Sequence, residues 1–179
     1  MLQSMTMQHG ARTLESVPAR ETDPAVSSLI ERSPTTVLDT EPLSAAVDRL
    51  LGGASTGVPV VDAGGHYRGM CTLRSVSSLG LLLNGETAAL MPSLAFLRDD
   101  MERIRQRLEP SLLTPAVQAS DPFVPALLPS TTLPEIFFQF YRGHPLLPIV
   151  DGESRRFIGV ISCEQALRTA LRHPAGGGR

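Results

Sequence analysis

The chain has 179 residues, 42% of them hydrophobic and 19% charged, a balance that suits one or two small globular domains with an ordinary apolar core. Lys and Arg number 16 against 18 for Asp and Glu, which excludes an overall positive field that would draw the chain to nucleic acid or an anionic membrane. No run reaches the roughly 18 apolar residues of a membrane span, and no charged start followed by an apolar run opens the chain, so a cytoplasmic location is expected.

Residues 1–24 show no apolar periodicity and mix Gln, Ser, Thr, Pro and charge, which predicts a disordered tail. A first unit, 25–84, follows. Leu43, Ala46, Val47, Leu50 and Leu51 fall on one face of a helix that stops at Gly52-Gly53, and the β-branched run Val58–Val61 reads as a buried strand. The turn Ala63-Gly64-Gly65-His66 leads into a second strand, Tyr67–Thr72, and a closing helix, Ser75–Leu83.

Residues 85–112 have a character of their own. Leu90, Leu94, Leu97, Met101, Ile104 and Leu108 form an apolar stripe with Arg, Asp and Glu on the other faces, the pattern of an amphipathic helix. Pro92 fits its first turn and Pro110 is expected to close it after Glu109. The stripe is too short to specify a coiled coil, so packing on its own chain and pairing with another chain both satisfy it.

The last unit, 113–173, repeats the first. VLDTEPLSAAVDRLL from Val37 lies over LLPSTTLPEIFFQFY from Leu127, an offset of 90 residues. Leu133, Ile136, Phe137, Phe140 and Tyr141 restate the helical face before Gly143, Leu147–Val150 restates the first strand, and Arg156–Ser162 restates the second. A closing helix, Glu164–Leu171, follows, and 174–179 are expected to fray. Val60 and Ile149 are therefore expected to be equivalent and buried.

VPVVD (Val58–Asp62) and LPIVD (Leu147–Asp151), followed by Gly-x-x-Thr and Gly-x-x-Ser (Gly69–Thr72, Gly159–Ser162), resemble the cystathionine-β-synthase (CBS) domain family, whose domains occur in tandem. The resemblance covers most of 33–172. It implies an α/β fold, α+β in the stricter sense: two pseudo-symmetric βαββα units packed through their sheets, here with an inserted amphipathic helix.

No GxSxG, HExxH or GxxxxGK[ST] occurs, and His9, His66, His144 and His173 are scattered without ligand spacing. No catalytic constellation or metal site is expected. Cys71 and Cys163 have no CxxC or Cys/His spacing, which fits buried free thiols in a reducing compartment.

The resemblance implies a nucleotide cleft, with adenine against the hPVVD strand at Val58, Pro59, Leu147 and Pro148. Ribose and phosphates would lie near the Gly-h-x-Thr/Ser-x-x-Asp segment, at Thr72 and Ser75 or at Ser162 and Gln165. A hydroxyl at a helix start can join an anion site or simply cap free N–H groups, and both readings stay open for Thr72 and Ser162. Ser75 and Gln165 replace the family's Asp; Gln165 retains the longer reach, which favours the Ser162 copy. Arg74, Arg142 and His144 are candidate phosphate partners, and each equally suits a solvated surface.

The resemblance thus implies a non-enzymatic, ligand-sensing pair that takes AMP, ADP, ATP or S-adenosylmethionine as a regulatory ligand, requires no cofactor, and signals as a homodimer or through a regulated protein. The alternative is a ligand-free dimerisation scaffold with vestigial clefts.

Overall fold

In a computed structural model, residues 24–53, 55–80 and 101–172 are described. After a short helix, α1 (Pro24–Leu29), strand β1 (Val37–Leu38) runs parallel to β2 (Gly57–Val61), which pairs antiparallel with β3 (Tyr67–Thr72). Helix α2 (Leu43–Gly52) joins β1 to β2, and α3 (Leu73–Gly80) follows β3. An inserted helix, α4 (Met101–Leu112), and a 3-10 turn (Ala116–Ala119) lead to the second unit, built from α5 (Leu133–Tyr141), β4 (Leu146–Val150), β5 (Phe157–Ser162) and α6 (Cys163–Arg172). Leu127 bridges Ile149 in parallel, as Val37 pairs with Val60. Each unit is a βαββα set.

Local chemistry explains the helices. In α2, Leu43, Ala46 and Leu50 are buried, the i, i+3, i+7 stripe of an amphipathic helix. A capping box starts α5: the Thr132 hydroxyl takes an N–H of the first turn while the Glu135 carboxylate takes the Thr132 N–H at 2.9 Å. The buried stripes are narrower than expected. Leu51 is 73% exposed and Tyr141 87%, because each sits in the last turn, about 100° around from the buried Leu50 or the half-buried Phe140.

Three apolar layers stack through the molecule. Val58, Val60 and Cys71 pack with Leu43 and Leu50 in the first core, and Leu147, Ile149 and Ile161 pack with Ile136 in the second. Between them, Tyr67 and Met70 meet Leu146, Val150 and Val160. Adjacent strand residues point to opposite faces, so Met70 joins the middle layer while Cys71 joins a core. Tyr67 and Phe157, equivalent residues, stack with ring centroids 6.2 Å apart at the pseudo-twofold. Val60 and Ile149 are equivalent and fully buried.

The opening segments are exchanged between units. Val26, Leu29 and Ile30 pack in the second core, whereas Ala116 and Ala119 pack in the first. Glu31 and Val160 exchange two backbone hydrogen bonds, 2.9 and 3.0 Å, and the Asp121 N–H donates to the Met70 carbonyl at 2.7 Å. The sequence repeat and the packed unit therefore differ: 24–31 belong spatially with the second unit and 116–121 with the first.

Helix α4 packs on α3 and α2, with Leu112 against the first core, Ile104 and Leu108 half-buried and Met101 exposed. Where described, its stripe is thus covered in part by its own chain. Pro110 does not end it; the helix runs on to Leu112. One proline forfeits a single i to i−4 bond, and burial of Leu112 offsets that loss. Leu90, Pro92, Leu94 and Leu97 lie outside the described residues, as do 1–23, 173–179 and the end of the first closing helix. Pro24, expected in the tail, begins α1. Among the described residues, no helix is long and apolar enough to cross a membrane.

Candidate functional site

Two clefts lie where the strands of one unit face the helix start of the other. The first, about 240 Å³, is lined by Gly57, Thr72, Arg74, Asp121, His144 and Leu146 among others. The hydroxyls at its helix start are spent. Thr72 Oγ1 donates to Asp121 Oδ2 and accepts from the Ser75 N–H, both at 3.0 Å. Ser75 Oγ accepts from the Thr72 N–H and donates to the Thr72 carbonyl, also at 3.0 Å. Asp121 Oδ1 takes the Phe123 N–H at 3.0 Å. The Arg74 guanidinium lies 4.9 Å from the Phe123 ring centroid, a cation–π contact that draws it onto the ring.

The second cleft is larger, about 670 Å³, and joins Val58 and Arg49 of the first unit to Ser162, Glu164 and Leu167 of the second, with Glu31 from the exchanged segment. Here Ser162 Oγ accepts from the Gln165 N–H at 3.2 Å, and among the described residues no acceptor takes its proton. Arg49 is committed to a forked pair with Glu41 at 2.9 and 3.3 Å. That guanidinium, with the Leu38 N–H, holds the Glu41 carboxyl below its ordinary pKa. Glu164 receives Arg168 at 2.7 and 3.0 Å.

Of the residues expected at a cleft, Thr72 and His144 line the first and Val58 and Ser162 the second. Ser75 and Gln165 lie outside both linings; Ser75 is buried as the cap partner of Thr72. Leu147 is fully buried in the second core, and Leu146 faces the clefts in its place. Pro59 and Pro148 are buried outside both linings. Arg142 is the exposed C-cap of α5. Sequence reasoning missed Glu31, Asp121 and Glu164, although Glu31 and Asp121 stand 90 residues apart, the offset of the repeat itself. Among the described residues, no group of three or more His, Cys, Asp or Glu side chains could hold a metal ion.

The two thiols differ in a way that can be measured. Cys71 is buried, its Sγ 3.3 Å from the Ala116 carbonyl oxygen, and burial pushes its pKa up to about 11. Cys163 is half-buried at the second cleft. Since the thiolate is the reactive form, native protein at mildly alkaline pH should release a single fast equivalent in a disulfide-exchange assay, from Cys163. Denatured protein should release both. Fast reaction of a Cys163→Ser variant would contradict the burial of Cys71.

The CBS domain family profile matches residues 26–80 and 118–172, together more than half of the chain. No curated protein matches it. The chain is similar in structure to CBSX2 from Arabidopsis thaliana (17% identity, 82% of this chain and 94% of that chain covered, TM-score 0.60). CBSX2 in complex with AMP gives 18% identity, 82% and 96% coverage and a TM-score of 0.57. CbpB in complex with c-di-AMP gives 15%, 82% and 83%, and 0.54. With two matched segments on two βαββα units related by a pseudo-twofold, the chain belongs to the CBS domain family as a tandem pair.

Proposed function

We propose that the chain is a regulatory, non-enzymatic module that senses an adenine nucleotide or related metabolite in the second cleft and changes how the pair meets itself or a regulated protein. One observation carries this reading: the second cleft, at about 670 Å³, lies within the range of small-molecule sites, about 300–1,000 Å³, and has an unspent hydroxyl at a helix start. The first cleft, at about 240 Å³, falls below that range. CBSX2 with AMP and CbpB with c-di-AMP support an adenine ligand for a fold of this kind.

The test is thermal unfolding with AMP, ADP, ATP and S-adenosylmethionine. Ligand at a hundred times its Kd stabilises a folded protein by about 2.7 kcal/mol, so a saturating ligand should raise Tm and also slow modification of Cys163. Ser162→Ala should weaken both effects. No shift at millimolar concentration with any of the four, or with adenosine, would reject sensing and leave the scaffold reading.

Assembly belongs to the same proposal. Leu51, Tyr141 and Leu171 are 73%, 87% and 84% exposed, and Phe138 is 55% exposed. Burying a large apolar side chain contributes about 1.5–3 kcal/mol, and a closed twofold is the commonest way for exposed apolar side chains to meet their equals. A homodimer follows, whose mass by light scattering should fall to that of a monomer in Tyr141→Asp with Leu171→Asp. A wild-type monomer at micromolar concentration would reject it.

A further inference from the structure

Resting on the reading above, we propose that the second cleft selects an adenosine-bearing ligand without phosphate charge, a nucleoside or a cationic derivative, over AMP, ADP and ATP. The two clefts are equivalent by repeat but carry opposite charges at their helix starts. The second residue of α3 is Arg74, at the first cleft; the second residue of α6 is Glu164, at the second. A helix start ordinarily favours an anion through its free N–H groups and dipole. In α6 the Cys163 N–H donates to the Pro145 carbonyl and the Gln165 N–H to Ser162 Oγ, and the first turn already carries an acid, Glu164, which opposes a second negative charge there. A second carboxylate, Glu31, lines the same cleft, its backbone held by both hydrogen bonds to Val160. Among the described residues, the one cation in the lining is Arg49, and it is forked onto Glu41; a phosphate would have to break that pair. What remains is apolar surface from Val58, Leu146 and Leu167, suited to a base, beside the Ser162 hydroxyl, suited to a sugar.

Both carboxylates are exposed, so screening sets the scale. A phosphate charge about 4 Å from one such carboxylate in water loses about fivefold in affinity; Glu31 acts in full and Glu164, paired with Arg168 at 2.7 and 3.0 Å, in part. The experiment is calorimetric titration of the full chain with adenosine, S-adenosylmethionine, AMP and ATP at low and moderate salt. Adenosine is expected to bind at least about tenfold tighter than ATP at low salt, with the gap narrowing as salt rises. Glu164→Arg combined with Arg168→Glu keeps an i, i+4 ion pair while placing a cation at the cleft, and should shift the ATP-to-adenosine affinity ratio by about tenfold toward ATP. Glu31→Gln, which leaves the backbone pairing intact, should shift it severalfold in the same direction and serves if the reversed pair fails to fold. Wild-type protein that binds ATP as tightly as adenosine, or variants that leave the ratio unchanged, would overturn the charge selection while leaving the sensing reading in place. Binding of none of the four compounds would remove the sensing reading and this inference with it.

Discussion

Truncating Leu147 to alanine should destabilise the fold by about 2–5 kcal/mol, the cost of deleting a large aliphatic side chain from a closed core, without directly altering the cleft. The side chain is fully buried among Ile136, Ile149 and Ile161, with Val26 and Leu29 of the exchanged segment completing the cavity wall. Those neighbours come from four elements, so little collapse into the hole is available and the upper part of the range is expected. Denaturant unfolding should show a lower midpoint with an unchanged slope. Affinity measured on the folded fraction should match that of wild type, because Leu146 is the residue of this strand that faces the clefts. A Leu147→Ala protein of undiminished stability but weakened ligand binding would put this side chain on the cleft.

Gly159→Ala should be the most disruptive one-methyl change in the chain. A Cβ at this position would collide with the Glu31 carbonyl oxygen and crowd Ile30, and that carbonyl accepts the Val160 N–H. The nearest obstacle is backbone, held by its pairing with Val160, and cannot swing aside as a side chain can. Overpacking of this kind costs about 1–3 kcal/mol, and for a chain of this size each kcal/mol lowers Tm by about 2–4 °C. The damage should appear first as release of 24–31, detectable as faster proteolysis there. The equivalent Gly69 differs in kind, since its obstacle is the Ser120 side chain, whose Oγ is buried without a partner. Ser120→Gly should therefore relieve the clash of Gly69→Ala, leaving the cost of its positive φ (159°), whereas no side-chain change relieves the clash of Gly159→Ala with the Glu31 carbonyl. Equal stability of Gly159→Ala and wild type would mean that the exchanged segment does not press on β5.

The glycines of the Gly-x-x-Thr/Ser segments thus have a structural cause beside any ligand: each lets the opening segment of the other repeat cross its strand. This exchange explains why the two repeats cannot be treated as independent modules. Residues that begin one repeat in sequence close the core of the other.

Local order was open to sequence reasoning because it depends on local chemistry. The 3.6-residue stripe and glycine stop placed α2 and α5, the β-branched runs between turns placed β2 to β5 within a residue or so, and the match of VPVVD to LPIVD, one residue short of the 90-residue offset, related Val60 to Ile149. The family pattern likewise led to Thr72 and Ser162 at helix starts. The facing of the cleft strands was a different matter. All five residues of β4 are buried, so both faces are apolar, alternation vanishes, and nothing in LLPIV distinguishes Leu146 at the cleft from Leu147 in the core. Contacts between distant residues were equally out of reach: Thr72 meets Asp121 across 49 positions, and Glu31 reaches Val160 only because the opening segments are exchanged. Pairing of that kind is decided by the closure of three apolar layers around the pseudo-twofold. The sequence by itself therefore determined the two units and their hydroxyl-bearing helix starts, and only tertiary packing decided which cleft is left large, with an unspent hydroxyl and carboxylates on its wall.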